Sequence, residues 1–180
     1  MFTWANSEVL YRVALKNIYV WNIIKNRKEG IIMVSLKDIM DEASAKLGEV
    51  EFKGLMLKEA RIKNGAGSTP EDVLGWDYIF RTNDGVCYSF YGAQFPLIGL
   101  TQAVPILCPL GIQTFDSYEI DFKKAIEILN TMNCGDVFVA MTLSWPLTPE
   151  CTEPYWHIRT SLGNDISIGA NSGKPNCNKI

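Results

Sequence analysis

The sequence predicts an α+β protein built from two repeated α-β-β-β units, each with one helix packed on a small antiparallel sheet. Two observations support this fold class. A helical pattern of apolar residues followed by three strand-like segments occurs twice along the 180 residues. In addition, 47% of the residues are hydrophobic and 21% are charged, which is the composition of a globular protein rather than a disordered or fibrous one.

We divide the chain into four segments. Residues 1–32 form an amphipathic helical extension, and residues 33–94 form the first unit. Residues 95–117 are an apolar connection that contains prolines, and residues 118–180 form the second unit. Because one helix with three short strands has little core, the two units are expected to pack together and bury the surfaces that each leaves exposed.

The N-terminal segment carries apolar residues at helical spacing over 7–25, which predicts an amphipathic helix. Arg12 and Lys16 interrupt these residues, which excludes a signal-peptide core and a membrane span of about 20 residues. The helix either packs on the domain or lies on a membrane surface. A third interpretation is that translation starts at Met33, because codons for the preceding Lys-Glu-Gly can resemble a bacterial ribosome-binding site. Residues 1–32 would then be a start-site artefact.

In the first unit, Ser35 can cap a helix and Gly48 can end it, so we predict a helix from Ser35 to about Leu47. The strand that follows changes the parity of its apolar residues at Gly54, which predicts a β-bulge there. The predicted elements after the helix are a strand at 49–63, a loop at 64–72, an aromatic strand at 76–82, a hairpin turn at 83–85 and a strand at 86–91.

The second unit repeats this order. Its predicted elements are a helix at 121–133, a strand at 137–145, a proline-bearing loop at 146–154, a strand at 155–160, a turn at 162–164 and a strand at 166–170. Short matches recur in the same order in both copies: Gly-Glu-Val at 48–50 and Gly-Asp-Val at 135–137, Arg-Thr at 81–82 and 159–160, and Gly-Ala at 92–93 and 169–170. Their common order indicates an internal duplication.

Three motifs of the second copy resemble those of a known protein family. They are Phe-Lys-Lys-Ala-Ile at 122–126, Glu-Pro-Tyr-Trp-His-Ile at 153–158 and Ile-Ser-Ile-Gly-Ala-Asn-Ser-Gly at 166–173. Together they resemble tandem PepSY-like domains over about 33–94 and 118–174, although Gly169 stands where that family usually has an acidic residue. The resemblance implies a cystatin-like fold and a small non-catalytic module. Such modules are often attached to peptidase propeptides, and some are thought to inhibit or chaperone peptidases.

The five cysteines are odd in number, irregularly spaced and without a CxxC pair. This pattern does not match a structural zinc site, and the chain shows no export signal, so we expect reduced thiols in a cytoplasmic protein. The net charge of −3 and the pI of about 5.2 leave no overall basic balance, which argues against a nucleic-acid partner. We find no motif for a cofactor or a metal.

The connection at 95–117 is rich in leucine and isoleucine and has three prolines including Pro96. Linkers are usually polar, so this connection is expected to cover the core. The alternative is that it forms a lid or a partner-binding patch, in which case its exposure would favour an oligomer.

The candidate ligand-binding residues are Arg81, Tyr155, His157 and Arg159. Strand alternation places Tyr155, His157 and Arg159 on one face of their strand, opposite Trp156 and Ile158, and a guanidinium can bind a carboxylate with two hydrogen bonds. Aligning the two copies places Arg81 at the position of Arg159. We expect helices to cover the aromatic faces and these mixed faces to stay open.

The predicted function is that of a non-enzymatic binding module with a protein or peptide partner, related to peptides or peptidases through the family resemblance. No catalytic residue is assigned. One alternative is a small cysteine-dependent hydrolase in which Cys151 and His157 form the nucleophile and its base. The other alternative is a structural or regulatory subunit of a homo-oligomer.

Overall fold

The computed structural model describes residues 35–94 and 99–178. The amphipathic helix predicted at 7–25 and the question of a start at Met33 lie outside the described residues. In the described part, helix α1 spans Leu36–Lys46 and helix α2 spans Phe122–Thr131. The strands are β1 (Phe52–Ile62), β2 (Val73–Thr82), β3 (Cys87–Ala93), β4 (Val104–Ile106), β5 (Ile112–Gln113), β6 (Phe138–Pro146), β7 (Tyr155–Thr160), β8 (Asp165–Gly169) and β9 (Pro175–Asn178).

These strands form one antiparallel sheet in the order β4-β3-β2-β1-β6-β7-β8-β9, and β5 also pairs with β6. The two halves of the chain meet where β1 pairs with β6, through Leu57 opposite Ser144, Lys58 opposite Leu143 and Glu59 opposite Thr142. The prediction of two α-β-β-β units with separate sheets is therefore wrong. The described chain is predominantly β, a nine-stranded sheet with two short helices.

The physical reason for this correction is the edge of each half-sheet. β1 and β6 would each expose a row of unpaired backbone N–H and C=O groups if the halves stayed separate, and pairing satisfies both edges at once. The periodicity of side chains indicates where a strand lies and which face is apolar, but it does not indicate which strand lies next to it. The two helices and six strands predicted for the two units are accordingly present, whereas β4, β5 and β9 and the pairing of the two halves were not predicted.

Gly54 shows how closely β1 approaches the end of the connection at Phe115. The register between β1 and β2 shifts between Phe52 and Gly54, which confirms the predicted bulge. Leu55 exchanges two backbone hydrogen bonds with Phe115, at 2.8 and 2.9 Å. A Cβ atom on Gly54 would lie 2.6 Å from the carbonyl oxygen of Phe115, so only glycine fits beside that segment.

The core lies on one face of the sheet, which we call the covered face. The helices pack there, as the predicted amphipathic pattern requires: Phe122 of α2 contacts Trp76 of β2 with ring centroids 5.3 Å apart. Asp121 caps α2 by accepting a hydrogen bond from the backbone N–H of Lys124 at 2.8 Å. The largest buried side chains of this face include Phe80, Phe90, Phe138, Met141, Leu143, Trp156, Ile158 and Ile166.

The apolar connection behaves differently at its ends and in its middle. Leu100 and Phe115 are buried in the core, as expected for a connection that covers it. Leu107 and Leu110, by contrast, are 94% and 95% exposed. The prediction of a packed connection therefore applies to its ends and is wrong for its middle.

Four of the five cysteines form disulfides, Cys87 with Cys108 and Cys134 with Cys177, and Cys151 is free. The expectation of reduced thiols is therefore wrong for these four cysteines. The partners are 21 and 43 residues apart in the sequence, and only the folded sheet brings them together. Among the described residues, no helix is long and apolar enough to cross a membrane.

Candidate binding face

The face of the sheet opposite the core, which we call the open face, carries a row of polar side chains. The strand registers place Asp77, Glu59, Thr142, His157 and Ser167 side by side on five neighbouring strands. Tyr91 and Asn176 continue the row at its two ends. Alternation explains this row, because the residues on either side of each member point to the covered face.

A shallow concavity of about 500 Å³ lies over the β6-β7-β8 part of the open face. Its size is within the range of ligand-binding clefts. Its open-face lining consists of one small apolar residue and five polar or charged residues: Ala140, Thr142, His157, Arg159, Asp165 and Ser167. Polar and charged side chains therefore dominate the floor of this concavity.

His157 lies in the middle of the concavity and is half-buried. Burial lowers the pKa of its imidazole, and the negative charge of Asp165 opposes this only in part. The imidazole is therefore neutral at pH 7 and offers one hydrogen-bond donor and one acceptor. The ring of Tyr155 lies beside it, with centroids 6.3 Å apart.

Arg159 does not present the free guanidinium that the sequence predicts. Its Nε and Nη2 atoms donate hydrogen bonds to the two carboxylate oxygens of Asp165, at 2.8 and 2.9 Å. This pairing raises the pKa of Arg159 and lowers that of Asp165. Both charges are therefore matched within the chain, and a ligand carboxylate would have to compete with Asp165.

Arg81 is not part of the same site. It lies on β2, and β1 and β6 separate that strand from β7. Tyr155, His157 and Arg159 are neighbours on one face of β7, as predicted, with Trp156 and Ile158 buried on the other. The structure thus brings three of the four predicted residues together and leaves Arg81 apart.

Sequence reasoning missed Thr142, Ser167 and Asp165. It also missed a second ion pair on the open face, in which Arg61 donates two hydrogen bonds to Asp77 at 2.7 and 2.8 Å. Parity within each strand places every one of these residues on the polar face. Only the register between strands, which parity does not give, shows that Thr142 and Ser167 flank His157.

Cys151 lies in the loop between β6 and β7, and its carbonyl oxygen accepts a hydrogen bond from the indole N–H of Trp145 at 2.9 Å. It is not among the residues that line the concavity. Within the described ranges, no three His, Cys, Asp or Glu side chains are grouped so that they could hold a metal ion.

A further cation lies on the covered face. Lys58 is only 6% exposed, and its ammonium donates a hydrogen bond to the hydroxyl of Tyr118 at 3.0 Å. The ammonium also lies 4.3 Å from the ring centroid of Trp76 and 5.4 Å from that of Trp156. Burial lowers the pKa of Lys58, but Tyr118, Tyr78 and the charge of Asp121 together outweigh this effect and raise the pKa above its usual value. Lys58 is therefore charged at neutral pH.

The chain matches no family model, no curated protein and no solved structure. The resemblance to PepSY-like domains therefore stays a prediction from the motifs of the second copy.

Proposed function

We propose that the chain is a non-enzymatic module that binds a neutral, polar segment of a protein or peptide partner in the concavity of the open face. The observation that carries this proposal is the double hydrogen bond between Arg159 and Asp165. Because these charges are already matched, the groups left for a ligand are Thr142, His157 and Ser167. Two hydroxyls and a neutral imidazole suit amide and hydroxyl groups better than ions.

The same ion pair argues against catalysis at this place. A histidine that acts as a general base for a hydroxyl needs a third group that orients its ring. Asp165 is the nearby carboxylate, and Arg159 holds both of its oxygen atoms. The alternative of a hydrolase that uses Cys151 would need that residue to reach His157, and Cys151 stands outside the concavity.

A second candidate function is that of a structural or regulatory subunit of a homo-oligomer. The exposure of Leu107 and Leu110 favours it over the hydrolase, because exposed leucines of this kind often mark contact surfaces.

The two disulfides favour a non-reducing compartment for this function, in place of the cytoplasm expected from the sequence. A link to peptides or peptidases follows from the family resemblance alone and is part of the proposal.

A selection with a library of displayed random peptides tests the proposal. Peptides are selected on the full chain and then titrated against the double variant His157→Ala, Ser167→Ala. The matched control is Asn176→Ala, which changes the same row of the open face outside the concavity. We expect the double variant to bind at least about 10-fold more weakly, as for the loss of two hydrogen bonds, and the control to bind like wild type. Equal binding by all three proteins, or selection of only charged peptides, would contradict the proposal.

A further inference from the structure

The exposed apolar side chains of the described chain gather around the middle of the connection between the two halves. Eight large hydrophobic side chains are exposed among the described residues, and five of them belong to this connection or to segments bonded to it: Val86, Val104, Leu107, Leu110 and Leu147. Leu107 and Leu110 are 94% and 95% exposed. Single exposed leucines are common, but a group drawn from three segments of a chain marks a contact surface. We call residues 107–111 the leucine loop.

Bonds on both sides hold the leucine loop in place. The disulfide from Cys108 to Cys87 ties the loop to the start of β3. At the other end, the carbonyl of Gly111 accepts a hydrogen bond from the backbone N–H of Leu147 at 2.8 Å. The same two bonds bring two further exposed side chains beside the loop, because Val86 precedes Cys87 and Leu147 is itself the donor. The apolar side chains are therefore neighbours in the folded chain.

The leucine loop projects at a bend. The chain bends at Leu110 and Gly111, and Gly111 has a φ of +74°, which glycine adopts without strain. A Cβ atom on Gly111 would have no other atom within 4 Å, so the outside of the bend faces open space. Leu110 therefore lies at the tip of a short, braced projection. Because the projection is ordered before it binds, little conformational entropy is lost on binding.

The composition of this surface favours a lipid over a protein. Protein interfaces draw most of their binding energy from tryptophan, tyrosine and arginine, whereas leucine and valine are under-represented among such residues. All five exposed side chains here are leucine or valine. No charged residue occurs at 85–115, so this segment offers no ion pair for the polar rim of a protein interface. The apolar interior of a bilayer needs neither ion pairs nor a complementary shape, because binding to it depends on buried apolar area.

A second copy of the chain is a poor fit. β4 is an edge strand of three residues, and Pro105 removes one N–H from it, so it offers little for pairing between sheets. The five residues of the leucine loop also cover much less than the roughly 800 Å² that each partner contributes to a stable protein interface. A bilayer has no such minimum, since even one acyl chain supports reversible binding.

We propose that the leucine loop inserts Leu107 and Leu110 into the surface of a bilayer of neutral phospholipids and binds the chain there reversibly. The uncharged segment at 85–115 has no cation that would attract anionic headgroups. Burial of apolar surface therefore drives the binding, and salt should not weaken it. The residues of the leucine loop do not line the concavity of the open face, so the inference does not rest on the function proposed above.

Flotation of the full chain, with its disulfides formed, on vesicles of phosphatidylcholine tests the proposal. We expect wild type to float with the vesicles, and equally so in about 1 M NaCl, where charges are screened within about 3 Å. Leu110→Ser should lower the partition coefficient at least about 10-fold, and the double variant Leu107→Ser, Leu110→Ser at least about 100-fold, as for the loss of one and two buried leucines. The control Leu162→Ser changes another exposed leucine, in the turn between β7 and β8, and should bind like wild type.

Three results would overturn the proposal. The first is a wild-type chain that does not bind phosphatidylcholine, or that binds only after phosphatidylserine is added. The second is equal binding by wild type and the double variant, because another segment, such as the helix predicted at 7–25, would then carry the binding. The third is dimerisation in analytical ultracentrifugation that Leu110→Ser abolishes, because the loop would then serve a second copy. Circular dichroism of each variant separates a lost contact from a lost fold.

Discussion

The two faces of the sheet hold their cations in opposite ways. On the covered face, the ammonium of Lys58 donates a hydrogen bond to the hydroxyl of Tyr118 and lies against the faces of aromatic rings; no carboxylate of the described residues accepts a hydrogen bond from it. On the open face, Arg61 and Arg159 each donate two hydrogen bonds to an aspartate. Lys58 and Glu59 are adjacent in β1, so a single step along one strand separates the two environments.

The difference arises because the covered face excludes water and the open face does not. A carboxylate beside Lys58 would itself have to lose its water, whereas the π-faces of tryptophan and tyrosine attract a cation without that penalty. On the open face, water solvates both partners and the pairs contribute little to stability. Lys58 is therefore a residue on which the fold depends. The open-face pairs mainly determine which ligand groups the surface can accept.

The largest expected effect is on Lys58. Lys58→Ala removes a long buried side chain from among four aromatic rings and should lower the free energy of unfolding by about 3 kcal/mol. Lys58→Met keeps the volume without the charge, and it should stay within about 1 kcal/mol of wild type, the value of one lost hydrogen bond. Urea unfolding at pH 7 measures both. If the methionine variant loses as much stability as the alanine variant, the charge rather than the volume is what matters at this position.

The two disulfides are also expected to differ in their effect on stability. Cys134 and Cys177 pack with the core, whereas the bond from Cys87 to Cys108 ties the middle of the connection at 95–117 to β3. In the chain-entropy description, replacing the first pair by serine should cost about 4 kcal/mol and the second about 3 kcal/mol. Thermal unfolding of the two variants shows which replacement lowers the stability more. A larger loss of stability from replacing Cys87 and Cys108 than from replacing Cys134 and Cys177 would contradict this order.

A smaller effect is expected from the protonation of His157. Burial holds the pKa of this residue below its ordinary value of 6.5, so the unfolded chain takes up the proton first as the pH falls. The stability from neutral His157 is complete above pH 6.5 and is lost progressively as the pH falls towards the lower folded-state pKa. Wild type should therefore lose stability more steeply than His157→Asn as the pH falls from about 7 through 6.5 and below. Parallel curves would show that the imidazole is not desolvated.

The smallest effect on stability is expected at Arg159. Arg159→Gln should leave the unfolding midpoint unchanged, because this pair is exposed. It should nevertheless raise the pKa of His157, since the charge of Asp165 would no longer be matched. His157 is the only histidine in the sequence, so its imidazole signals can be followed without ambiguity by NMR titration. Arg61→Gln breaks the other open-face pair and is the control. If the pKa of His157 shifted equally in that variant, the shift would not be a local effect of Asp165.

The sequence predicted what depends on local pattern. Alternation placed Tyr155, His157 and Arg159 on one face, and the parity change at Gly54 located a real bulge. It did not predict that β1 pairs with β6, since any two apolar strands with free edges could pair. Because the sequence does not give the order and register of the strands, it also did not show that Thr142 and Ser167 flank His157. The disulfides were missed because cysteine spacing does not encode partners that are distant in sequence.

The binding of a neutral partner segment in the concavity is tested most directly by NMR. A peptide selected on the full chain is titrated into ¹⁵N-labelled protein, and the changes in backbone amide shifts are mapped onto the sheet. We predict that the largest changes occur at Thr142, His157 and Ser167, and that the pKa of His157 stays below its ordinary value in the complex. Changes centred on residues 107–111 or on Arg81, with none on β6, β7 and β8, would contradict the account.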